Sequence, residues 1–415
     1  MPKSLTEILR PVEPLLRMVH AAPQAASARP FGDETTVFFM QGGKGLALTG
    51  EDANAYRRTL LDLLEQFADK GERGQKAVAS AFQRAIIAVA LGTHLDRDIT
   101  RAMDALRKDL SVAPSSWTVL LPVRGLDPKQ LPRRLGSVRF LRLTQRRESA
   151  IRHRSGGSKK VRRQVVPKDL PDRVFAEIQV LAADEEAAQV AAMRRLRQAL
   201  DILNFYAEFL SYSNPLVYVP GDRDATHTIA FTYKSAETTG VWISNSREGP
   251  VGLLDLRDLI GRANKCGVAR IDRALRKPEP NSLEHRLIQA VTAAGRGVAA
   301  ARSDAALLHA VTALETAILG LKKGGEIGFR FRLRCAKLLG KTVASRQALV
   351  KRLDVIYDLR SRATHAGATE IRERDLAMAR AMARNAIVRL LTHRSLSRLT
   401  DDEALEAWFN RLVIR

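Results

Sequence analysis

Cysteine is scarce in this chain: Cys266 and Cys335 are the only two in 415 residues. So few, so far apart, exclude a disulfide framework and a Cys-based zinc module, and they suit a reducing compartment. Long apolar runs are missing as well. The longest, residues 85–92, falls far short of the ~20 residues a membrane span needs and reads as a buried helical turn or two. Residues 1–19 are interrupted by Glu7, Arg10, Glu13 and Arg17, so no secretory signal is expected and the default location is the cytoplasm. Gly42-Gly43-Lys44-Gly45 lacks the full phosphate-loop pattern and reads as a hairpin turn. No serine sits in a Gly-x-Ser-x-Gly elbow. Seven of the eight histidines (20, 94, 153, 227, 285, 309 and 393) show no ligand spacing, so neither a metal nor another cofactor is expected.

Acidic charge is also short. Lys and Arg number 68 against 45 Asp and Glu, a net charge of +23. Such an excess repels itself unless a polyanion offsets it, which favours nucleic acid or an anionic membrane surface as partner. The length allows two or three domains and an ample core. Hydrophobic residues at 45% and charged ones at 27% are a globular mixture rather than a disordered one.

The periodicity predicts an α+β chain. Residues 1–278 read as a mixed α/β region, with a further candidate boundary near 112, and residues 279–415 as an all-helical bundle. Strands are expected near 35–40, 117–121, 138–143, 174–180, 228–233 and 240–243, paired in mixed or antiparallel fashion. Helices are expected over 51–109 and over 185–210, the second N-capped by Asp184. Lys277-Pro278-Glu279-Pro280 marks the boundary. Beyond it, Leu307, Val311, Leu314, Ile318 and Leu321 recur at 4-3-4-3 spacing, the narrow seam of a helix bundle.

One segment is strongly cationic. Arg146, Arg147, Arg152, Arg154, Lys159, Lys160, Arg162 and Arg163 surround Ser155-Gly156-Gly157-Ser158, against Glu148 alone. Between two strands this is expected to be a long hairpin loop that tracks RNA phosphates. Phe140, between Arg139 and Arg142, reads as ordinary core.

The sharpest pattern is Ile356-Tyr357-Asp358-Leu359-Arg360-Ser361-Arg362-Ala363-Thr364-His365-Ala366-Gly367. Gly367 suits the end of a helix, which places His365 in the last turn, where the negative end of the dipole favours the imidazolium. An imidazole exchanges protons near neutrality, and a guanidinium binds phosphate oxygens in a fork. Together they suffice to break RNA, whose 2′-OH is a built-in nucleophile. DNA lacks that hydroxyl. On an ideal helix, five residues turn the two side chains roughly 140° apart. Either the backbone unwinds near Thr364, or a twofold partner supplies a second pair.

Arg-Ser-x-x-x-His, preceded by Tyr-Asp-Leu and followed by Ala-Gly, resembles the HEPN family, particularly its ApeA-like branch. Ala313-Leu314-Glu315, the stretch from Glu326 through Arg330 and Arg334 to Leu339, and Ala379-Arg380 extend the resemblance over about residues 283–392. It implies a metal-independent endoribonuclease acting as a homodimer in anti-phage defence or toxin-type growth arrest, with a phage-derived trigger or an antitoxin as a further partner. It carries the catalytic roles onto Arg360 and His365, with Ser361 and Glu315 as positioning groups. Read from the residues, Glu315 is half-buried and is equally a salt-bridge partner for Arg330 or Arg334. Tyr357 reads as packing. The alternative is a HEPN-like module that only dimerises, binds nucleic acid or senses a trigger.

Overall fold

The computed structural model describes residues 5–21, 37–41, 44–48, 50–68, 74–111, 113–144, 146, 174–212, 216–219, 225–234, 237–246, 253–319, 327–365 and 370–414. It is an α+β chain. The first part comprises helices α1 (Leu5–Leu9), α2 (Val12–Ala21), α3 (Gly50–Leu63), α4 (Gln75–Ala90) and α5 (Leu95–Leu110). Their apolar faces close on a core of their own, which includes Leu16, Phe82, Ile86 and Leu106. A hairpin of β1 (Val37–Gln41) and β2 (Lys44–Leu48) accompanies them, with Gln41 opposite Lys44. Of the expected turn at residues 42–45, Lys44 and Gly45 belong to β2, and residues 42–43 lie outside the described residues.

The alternating segments of the middle region form β3 (Ser115–Pro122), β4 (Arg133–Leu135), β5 (Val138–Arg142), β6 (Val174–Ala182), β7 (Ala225–Lys234) and β8 (Glu237–Ser246). They join in one sheet of order β4-β5-β6-β3-β7-β8. Every pairing is antiparallel, so of mixed and antiparallel pairing the second holds. Phe140 on β5 is fully buried.

Helix α6 (Glu185–Phe209) packs across β6 and β3. Asp184 is its N-cap and accepts from the Ala187 N–H at 2.9 Å. The same carboxylate accepts from the Gly74 N–H at 2.9 Å, and Glu186 accepts from the Lys76 N–H at 2.8 Å. Two acidic side chains thus satisfy orphan amides at the starts of both α4 and α6. They also tie the first helical unit to the sheet layer.

Eight helices follow among the described residues: α7 (Leu256–Ala263), α8 (Val268–Arg276), α9 (Leu283–Ala299), α10 (Ser303–Ile318), α11 (Ile327–Leu339), α12 (Val343–His365), α13 (Glu373–Thr392) and α14 (Asp402–Ile414). Ser282 caps α9 by accepting from the His285 N–H at 3.1 Å. Leu307, Val311, Leu314 and Ile318 of the α10 seam are all buried. The core to which they belong extends back to Trp117 and forward to Phe409, crossing Pro278 and Pro280 without a break. α6 and α9 provide that continuity. The Arg296 Nε donates to Asp201 at 3.0 Å, and Glu208 on α6 pairs with Arg384 at 3.1 Å and Arg380 at 3.5 Å on α13. No helix among the described residues is long and apolar enough to cross a membrane.

Candidate active site

Arg360 lies on α12, whose buried stripe of Leu353, Ile356, Leu359 and Ala363 faces the bundle. α11 and α12 run antiparallel, as the Arg332–Asp354 ion pair (3.0 Å) and the Phe331–Tyr357 ring contact (5.7 Å between centroids) require. Tyr357 is therefore a packing residue of that hairpin. Its ring also lies under the Arg360 guanidinium at 5.8 Å, one helical turn away.

From α10, Glu315 reaches Arg360 at 3.8 Å (Oε2 to Nη2). The carboxylate side chain is 19% exposed and the guanidinium 35%. Glu315 thus braces Arg360 from the buried side while the guanidinium keeps an open edge. Arg330 and Arg334, the other bridging candidates for Glu315, turn elsewhere. Both pair with Glu406 on α14, and Arg334 also donates to the Ile318 and Leu319 carbonyls at 3.4 and 3.3 Å. A guanidinium that satisfies the orphan carbonyls at the end of α10 is fixed there.

Burial pushes the Glu315 carboxyl above the usual carboxylate range, and Arg360 opposes that shift. A carboxyl that holds its proton longer in the folded than in the unfolded chain loses stability as pH rises from the unfolded through the folded value. Glu315→Gln, neutral throughout, is therefore expected to gain thermal midpoint over the wild type across that rise. Above it the gain should stay constant. Melting curves from about pH 4 to pH 8, bracketing the carboxylate range, check this.

α12 continues without a break to His365, its last residue. Thr364 stays in register, its hydroxyl donating to the Arg360 carbonyl at 2.9 Å. The backbone therefore does not unwind near Thr364, and the roughly 140° divergence of an ideal helix applies. His365 and Ser361 are both exposed. Residues 366–369, with Gly367, lie outside the described residues.

Of the cationic segment 146–163, only Arg146 is described, and it is exposed. Arg147, Arg152, Arg154, Lys159, Lys160, Arg162 and Arg163 lie outside the described residues. Periodicity missed α7, α8 and α14. The signal for α8 was present: Val268 and Ile271 are buried on one face, and Arg273 and Arg276 are exposed on the other. Among the described residues, no group of three or more His, Cys, Asp or Glu side chains is placed to hold a metal ion. No family model matches the chain, and no curated protein or solved structure matches it.

Proposed function

We propose that the protein is a HEPN-like, metal-independent endoribonuclease of the cytoplasm that acts in anti-phage defence or toxin-type growth arrest. The observation that carries this reading is the Glu315-braced Arg360 on the helix that ends in an exposed His365. In the reaction, the 2′-oxygen attacks phosphorus and the P–O5′ bond breaks. The products are a 2′,3′-cyclic phosphate and a 5′-OH. One His365 takes the 2′-OH proton and a second gives a proton to the departing O5′. Arg360 neutralises charge that builds on the phosphoryl oxygens.

Two imidazoles and diverging side chains call for a homodimer. The exposed apolar side chains Ile327, Phe329 and Val355, on the α11–α12 hairpin that carries Arg360, support self-association through this part of the chain. The activity is restrained until a phage-derived trigger releases it, or is held off by an antitoxin, and the net charge of +23 supports RNA as the substrate.

The test is cleavage, in EDTA, of an RNA and of the same RNA carrying one 2′-deoxynucleotide at the mapped cut. The expected result is cyclic-phosphate and 5′-OH ends from the first and no cut at the deoxy position in the second. Cleavage at the deoxy position, or 3′-OH and 5′-phosphate ends, would overturn the mechanism.

A further inference from the structure

Two adjoining cavities, of about 450 and 270 Å³, share Ala274, Pro278, His285 and Ile288 in their walls. They form one cleft. It runs from the β4–β5 turn and α6, across the end of α8, to the start of α9. Arg195, Arg270, Arg273, Arg276 and Lys277 line it, against Glu279 and Glu284.

The charges in this cleft are unevenly matched. Arg270 is 14% exposed and is consumed internally, by Glu284 at 2.6 Å and by the Leu390 and Leu399 carbonyls. Arg276 pairs with Asp272 but stays 54% exposed. Arg195 donates to the Gln179 carbonyl, and no carboxylate among the described residues pairs with it. Arg273 is exposed on α8, the helix that also carries Arg276. Lys277 meets Glu279 only at 3.7 Å, with side chains 85% and 68% exposed, a pair worth little in water. Among the described residues no Phe, Tyr or Trp lines the cleft, and His285 is its one aromatic side chain, so charge dominates what it offers a nucleic acid.

We propose that this cleft holds the sugar–phosphate backbone of the RNA strand, as a sequence-independent docking surface apart from the Arg360 and His365 site. The proposal rests on the ribonuclease reading for its choice of RNA. It goes beyond that reading in assigning Arg195, Arg273 and Lys277 to phosphate contact. A cleft that reads phosphates alone holds different base sequences equally well.

The test is fluorescence anisotropy with a labelled, roughly 20-nucleotide single-stranded RNA, titrated with the full chain at several salt concentrations. For Arg273→Glu combined with Lys277→Glu, binding is expected to weaken roughly tenfold at low salt. Two lost phosphate contacts flatten the logarithmic salt dependence by about 1.4. In the wild-type protein, the same RNA should shield Lys277 from acetylation, as read by mass spectrometry. That second measurement needs no variant to fold. Unchanged affinity and salt dependence in the double variant, or Lys277 acetylated equally with and without RNA, would overturn the proposal. Neither readout uses cleavage. A chain that binds RNA through the cleft but cuts nothing would sink the nuclease and spare the cleft. One that cuts RNA with Lys277 unshielded would do the reverse.

Discussion

Arg360→Ala is expected to slow RNA cleavage roughly 100- to 1,000-fold, and His365→Ala roughly 100- to 10,000-fold. The guanidinium meets more negative charge in the pentacoordinate state than in the bound substrate, so the loss should fall on kcat more than on KM. The two variants differ in their effect on the fold. His365 is exposed at the end of α12, so its removal should leave the thermal midpoint unchanged. Arg360→Ala strips Glu315 of the cation that opposes its burial. The carboxyl then holds its proton to still higher pH, and the variant should be less stable near neutrality. Adding Glu315→Gln should restore stability without restoring cleavage. Single-turnover assays on purified protein, paired with melting curves, separate the two effects. Wild-type cleavage in both single variants would move the chemistry to other residues.

What could be read from the residues alone follows the range of the interactions involved. Asp184 was readable as a cap because a cap bonds an amide within three residues. The α10 seam was readable because burial repeats with the helix itself. The brace on Arg360 was only half readable. Glu315 faces Arg330, Arg334 and Arg360 as equal candidates until the chain folds. What decides among them is Glu406, 72 residues beyond Arg334, together with the open carbonyls at the end of α10. Charge pairing has no period, so no spacing rule reaches that far. β4, three residues long, is too short to show alternation. The Pro278 and Pro280 pair lies beyond α7 and α8, after the last strand among the described residues has already ended at Ser246, and the core continues past it. A proline constrains the local backbone and says nothing about which faces pack together.

Gly295→Ala should destroy much of that continuity. In an isolated helix, replacing glycine by alanine gains about 1 kcal/mol. At this position a Cβ would lie 1.8 Å from the Asp201 carbonyl oxygen and 2.5 Å from its carbon. Those are backbone atoms in the middle of α6, and no rotamer change moves them. The helices must part, and overpacking of this kind costs about 3 kcal/mol or more. The sign therefore reverses, and the variant should unfold at markedly lower urea. Gly261 on α7 supplies the opposite case. A Cβ there meets nothing within 4 Å, so Gly261→Ala should gain up to about 1 kcal/mol. Because Asp201 also holds Arg296, and Glu208 holds Arg380 and Arg384, parting α6 from α9 disturbs the bundle that carries Glu315 and Arg360. RNA cleavage and the urea midpoint should therefore fall together in Gly295→Ala. Full cleavage by a variant whose sheet layer has come loose would mean that the bundle works alone. A Gly295→Ala protein as stable as the wild type would mean that α6 and α9 do not approach this closely.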